Sequence, residues 1–199
     1  EEKVIEAPPF ILPNKTPTND KVNKNLRIGY LGRLSNEKGL EYLIDASDKM
    51  ALNNINHSVV IAGDVNDTRF IKYINKLKRL SNKYIKFVGK INEEEKKQFY
   101  NNIDIFILPS TNSFEAFGIV QLEAMSYGVP VIASNIPGVR SIINRTNNGY
   151  LFENRNKEDL YKTILSLKNH NFKSEIVKKN VHEYYNESLF DFKISKIFS

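Results

Sequence analysis

Apolar positions along the chain follow two rhythms. Short runs rich in β-branched and aromatic residues recur at LRIGYL (26–31), SVVIAG (58–63), YIKFVG (84–89), IDIFILPS (103–110) and VPVIAS (129–134). Each has the length of one buried strand. Between them apolar residues return every three or four positions: Leu40, Leu43, Ile44 and Met50, then Phe70, Ile74 and Leu77. That spacing lays one face of a helix against a core. Ser35 or Asn36 is placed to cap the first of these helices, and Asn66 or Asp67 the second, which runs to about Leu80. Asn92 with Glu95 forms a capping-box-like start for a short helix anchored by Phe99.

After the fifth run, Gly138 introduces a short helical segment, VRSII, and residues 149–152 read as a further extended piece. A helix over 157–167 turns Leu160, Ile164 and Leu167 inward, and 171–199 reads as two more helices parted near Asn186 and Ser188. Strands alternating with helices at this spacing predict an α/β, Rossmann-like, doubly wound parallel sheet with C-terminal helices. In such sheets ligands bind outside the carboxyl ends of the strands. The loops that matter are therefore 32–38, 63–67, 89–92, 110–118 and 134–138.

Composition changes this picture in few places. The 199 residues contain no Cys, which excludes a disulfide scaffold and thiolate metal sites and suits a cytoplasmic protein. No apolar run approaches the length of a membrane span, and the start, EEKVIEAPPF, lacks the basic and apolar regions of a signal peptide. It also lacks an initiator Met, as in an excised fragment or a processed chain. Four prolines among Asn, Thr and Lys make residues 1–25 read as an extended connector. The net charge of +6 admits nucleic acid, an anionic membrane or a phosphorylated ligand as partner. The lysines are scattered among acids and amides without an Arg-rich block, so no nucleic-acid role is expected.

The most informative stretch is SFEAFGIVQLEAMSYG (113–128), where Glu115 and Glu123 sit among mostly apolar neighbours. A helix starting near Phe117 would place Glu115 in the loop above the preceding strand and Glu123 well inside a nearly buried helix. Buried carboxylates need partners, so Glu123 calls for another residue or a ligand rich in hydrogen-bond donors. The N–H groups of Phe117, Gly118 and Ile119 at such a helix start suit an anion, and Gly118 permits close approach. The first loop, GRLSNEKG (32–39), supplies Arg33 just past a strand end and Lys38 in the expected first turn of a helix. A cation there opposes the helix dipole unless it meets an anion. Together Arg33, Lys38 and the neighbouring helix start would form a diphosphate cradle. The loop is neither a Walker A nor a dinucleotide fingerprint. His57, His170 and His182 show no metal-ligand spacing, and no Asp-x-Asp occurs.

GRLSNEKG followed by FILPSTNSFEAFGIVQLEAMSYGVPVIAS resembles the donor-binding, C-terminal half of retaining GT-B glycosyltransferases of family 4, or group 1, with their Gly-Arg…Lys-Gly loop and Glu-x7-Glu motif. The resemblance runs over roughly 26–168. It implies transfer of a sugar, with retention, from a nucleotide diphosphate-sugar (UDP among the candidates) to a glycan or lipid-linked acceptor. The nucleotide-sugar is a co-substrate, and neither cofactor nor metal is expected. Arg33 and Lys38 with Gly32 would hold the diphosphate, Glu115 the donor-sugar hydroxyls and Glu123 the ribose diol. The backbone of Phe117, Gly118 and Ile119 would meet phosphates and sugar, and Lys90 and Ile91 the base. Catalysis would rest on Arg33, Lys38 and Glu115, the last as a sugar binder or, second, as a nucleophile. The family often has Gly-Gly followed by Glu where this chain has IPGVRSII, so Pro137 and Ser141 depart from the pattern.

Residues 1–25 would then be an interdomain linker, 26–170 the nucleotide-sugar domain, and 171–199 helices packing toward an N-terminal domain that binds the acceptor and is needed for transfer. Polysaccharide biosynthesis, with a peripheral contact at the inner membrane surface, fits such an enzyme. The rival readings are a nucleotide-sugar epimerase of the same fold and a non-catalytic sugar-nucleotide-binding module.

Overall fold

The computed structural model describes residues 25–65, 68–112, 115, 118–170 and 172–185. Six strands, β1 (Leu26–Leu31), β2 (His57–Ala62), β3 (Ile85–Gly89), β4 (Ile105–Leu108), β5 (Val131–Ser134) and β6 (Gly149–Phe152), form one sheet. Its order is β3-β2-β1-β4-β5-β6 and every pairing is parallel. The helices are α1 (Leu40–Leu52), α2 (Ile71–Leu80), α3 (Glu93–Asn101), α4 (Val120–Ser126), α5 (Pro137–Thr146), α6 (Lys157–Asn169) and α7 (Ser174–Tyr184).

Side-chain alternation along the strands divides the core between the two faces of the sheet. Ile28, Tyr30, Ile105, Ile107 and Ile132 face α1, α2 and α6, meeting Leu43, Ile74 and Leu160. Phe106, Leu108, Val131 and Ala133 face the other way, toward Phe99 and Tyr100 of α3, Leu122 and Met125 of α4, Ile142 of α5 and Val177 of α7. This is the expected doubly wound architecture. The α7 helix also belongs to it, because its buried Val177 and Val181 share a cluster with α4 and α5. The second of the two C-terminal helices, expected beyond Asn186, and all but the last residue of the connector over 1–25 lie outside the described residues.

Several boundaries differ from expectation for local reasons. The helix expected from Ser35 or Asn36 begins only at Leu40, after a 3-10 turn over Asn36–Lys38 closed by Gly39 in the left-handed region. The α4 helix begins at Val120, three residues beyond Phe117, which lies outside the described residues. The VRSII segment extends into the longer α5, with Pro137 in its first turn, where the missing N–H costs nothing. The Asn92–Glu95 capping box forms in both directions at 2.8 and 2.9 Å.

At the end of the sheet opposite the strands' carboxyl termini, Asp104 ties β4 to β1. It accepts from the Arg27 backbone N–H at 2.8 Å, from Nε at 3.0 Å and from the second guanidinium nitrogen at 2.7 Å. These bonds to Asp104 hold the Arg27 guanidinium above its ordinary pKa. Asp104→Ala is therefore expected to destabilise the fold by about 1–3 kcal/mol while leaving ligand affinity at the far end unchanged. A urea melt overlying that of the parent chain would contradict this.

Candidate functional site

The sheet order reverses between β1 and β4, so the loops after these strands diverge and leave a crevice between them. Two hydrogen bonds stitch the loops at its floor. The Thr111 N–H donates to the Glu37 carbonyl at 2.8 Å, and the Thr111 hydroxyl reaches the same oxygen at 3.2 Å. Gly39 makes this approach feasible: with φ +63, a Cβ on it would lie 2.1 Å from the Pro109 carbonyl oxygen. Below them the buried Tyr30 hydroxyl donates to the Arg33 carbonyl at 2.9 Å and fixes the turn after β1. Burial, and then the negative field of Glu115, push that phenol well above its usual range.

On this floor, Arg33, Glu37, Lys38, Asn112 and Glu115 line a cavity of about 90 Å³. Lys38 forms an ion pair with Glu115, both side chains about 85% buried, and the Ser110 hydroxyl donates to the same Glu115 oxygen at 3.1 Å. Arg33 is more open: its guanidinium is 3.9 Å from Glu37 and its side chain is 55% exposed. The structure thus brings Arg33, Lys38 and Glu115 together, and adds Ser110 and Asn112, which sequence reasoning missed. It also corrects the reading of Lys38, which sits in the last turn of the 3-10 segment and not in the first turn of α1. Its charge answers Glu115, which offsets its place beside the start of α1.

Glu123 also departs from expectation. Its side chain is 31% exposed, not buried, while the partners its carboxylate calls for are protein residues, one of the two expected alternatives. The Tyr100 hydroxyl donates to its Oε2 at 3.0 Å, and Lys96 Nζ stands 3.7 Å from its Oε1. Burial, and then the Glu123 charge, raise the Tyr100 phenol above its ordinary pKa. Burial works to lower Lys96, but Glu93 and Glu123 outweigh it and the net shift is upward. Lys96 and Tyr100 are four residues apart on α3 and so share a face. That spacing is the only signal in the sequence that they belong together.

The other predicted positions fall around this centre. Gly32 donates its N–H to the Ala62 carbonyl at 3.1 Å, continuing the β1–β2 pairing past Leu31. Gly118 has φ +62, and Ile119 is half exposed at the start of α4. Lys90 and Ile91 follow β3, two strands from β1, and do not line the cavity beside Arg33. Ile91 instead packs against the cluster containing Phe99 and Tyr100. Ser141 donates to the Gly138 carbonyl at 2.7 Å within its own helix. Among the described residues no group of three His, Cys, Asp or Glu side chains could hold a metal ion, and no helix is long and apolar enough to cross a membrane.

A doubly wound sheet with charged loops at its switch point fits one half of the GT-B architecture. The chain is similar to Anabaena HepE solved with UDP and glucose, with a TM-score of 0.77 at 22% identity over 89% of this chain and 49% of that one. It is also similar to the C-terminal domain of a group 1 glycosyl transferase (LpcC) from Francisella tularensis, with a TM-score of 0.69 at 26% identity over 81% of this chain and 87% of that one. The chain belongs to the family Glycosyl transferases group 1, whose model matches residues 13–184. An uncharacterized glycosyltransferase from Methanocaldococcus jannaschii is 34% identical over 160 residues, which cover 78% of this chain and 40% of that protein. The chain spans less than half the length of this relative.

Proposed function

We propose that the chain is the donor-binding C-terminal part of a glycosyltransferase that moves a sugar from a nucleotide diphosphate-sugar to a glycan or lipid-linked acceptor, with retention and without a metal. The observation that carries this reading is the meeting of Arg33, Lys38 and Glu115 in one cavity at the β1/β4 switch point. Departure of a nucleoside diphosphate builds negative charge on its β-phosphate. Arg33 and Lys38 would stabilise that charge where it develops, and Gly118 and Ile119 would offer backbone N–H groups beside it. Lys38 would then share its charge between Glu115 and phosphate, leaving Glu115 oxygens for donor-sugar hydroxyls. Glu123 would accept hydrogen bonds from the ribose diol, and the β3 loop at Lys90 and Ile91 would border the base.

In this reading residues 1–25 connect to an N-terminal acceptor-binding domain, 26–170 hold the donor, and the last residues of 171–199 run toward that partner domain. Work at the inner membrane surface suits a lipid-linked acceptor. Arg33→Ala and Glu123→Ala are each expected to weaken nucleoside diphosphate binding by about 1.5–3 kcal/mol, the range for hydrogen bonds to charged groups. Calorimetry with UDP, GDP and ADP is the check. Unchanged affinity in both variants would sink the assigned roles. Retained binding in excess EDTA supports metal independence, and loss of binding there counts against it.

A further inference from the structure

The Tyr100–Glu123 contact has a geometry that simple packing does not require. Tyr100 is fully buried at the end of α3, and its ring is walled in on three sides. Tyr127 stacks on it at 5.0 Å, Phe99 meets it edge-on at 5.2 Å, and Phe106 lies at 6.0 Å. A tyrosine has only two side-chain torsions, so such a ring holds its hydroxyl at a fixed point in space. That hydroxyl donates to Oε2 of Glu123, whose own side chain is partly exposed. The other oxygen, Oε1, stands 3.7 Å from Lys96 Nζ, and Lys96 lies closer to Glu93, at 2.9 Å. One carboxylate oxygen is pinned from the core side, and the other has only the longer contact to a lysine that is shared with Glu93.

We propose that Tyr100 is the positioning residue for Glu123: by holding Oε2 it presents Oε1 to the ribose diol and makes the site selective for ribose over 2′-deoxyribose. The inference rests on the donor-site reading of Glu123 and adds to it a second residue and a specificity. A carboxylate aimed at a diol rejects an analogue that lacks one hydroxyl, because the lost bond is to a charged group. A swinging carboxylate would follow the remaining hydroxyl and discriminate less. Lys96 is the exchangeable partner, drawn to Glu93 as the diol arrives.

The test is calorimetric titration of the chain with UDP, GDP and ADP and with their 2′-deoxy counterparts. For the base that binds best, the unsubstituted chain is expected to prefer the ribonucleotide by at least about tenfold, the ratio that follows from one charged hydrogen bond. Tyr100→Phe keeps the stacked ring and should bring that preference to within about threefold, chiefly by weakening ribonucleotide binding. Lys96→Met should keep the preference. Glu123→Asp is one methylene too short to span Tyr100 and the diol, and should lose it, which gives a second reading should Tyr100→Phe fold poorly. An undiminished preference in either Tyr100→Phe or Glu123→Asp overturns the positioning role, as does an equal loss in Lys96→Met. A parent chain that shows no ribose preference, or binds none of the six nucleotides, overturns the ribose assignment of Glu123 itself.

Discussion

Replacing Lys38 with alanine is expected to lower nucleoside diphosphate affinity by more than about tenfold and fold stability by about 1–3 kcal/mol. Both effects follow from the ion pair. Lys38 and Glu115 are each largely buried, so removing the cation leaves a carboxylate whose Oε2 keeps the Ser110 hydroxyl as a donor but has lost its counter-charge. An uncompensated buried charge costs several kcal/mol, reduced here because about 15% of the Glu115 side chain still meets water. The two effects are separable. Adding Glu115→Gln to Lys38→Ala removes the orphaned charge and should restore most of the stability, yet it leaves the diphosphate without its lysine. Thermal melts and UDP titrations on the two single variants and the double variant measure both quantities. Full recovery of affinity together with stability would show that Lys38 serves the fold alone.

The same pair shows what could be read from the chain and what could not. Strand periods and helix faces are local, so β1 and β6 emerge at their full extents and the doubly wound class follows from the order of elements. The capping box of α3 is equally local, four consecutive residues whose chemistry depends on nothing distant. By contrast, Lys38 and Glu115 lie 77 positions apart. Their meeting depends on β4 lying beside β1, a long-range fact that no hydrophobic pattern carries. Either residue read alone looks like a free charge seeking a ligand. The exposure of Glu123 is hidden for a related reason: apolar neighbours in sequence point to both sides of a short helix, and α4 buries Leu122, Ala124 and Met125 while leaving Glu123 at the rim. Tyr100 went unnoticed because the value of a buried phenol lies in where its oxygen ends up, and that requires α3 and α4 to be placed first.

Gly39→Ala is expected to be the most disruptive single substitution in the site, costing about 2–4 kcal/mol of stability and most of the nucleotide affinity with it. Two independent penalties combine. An alanine at φ +63 pays the left-handed strain of about 1–2 kcal/mol. Its methyl group would also lie 2.1 Å from the Pro109 carbonyl oxygen and 3.0 Å from the Thr111 Cγ2. The first of these is backbone at the end of β4 and cannot swing aside, so the loop that carries Ser110, Thr111 and Glu115 must move away from the loop that carries Glu37 and Lys38. The Thr111–Glu37 bonds and the Lys38–Glu115 pair would be lost together. Gly89→Ala separates strain from clash, because Gly89 has φ +78 with open space where its Cβ would be. It should cost only the conformational term. Equal stability losses in the two variants would refute the close approach of these loops as the reason for glycine at position 39.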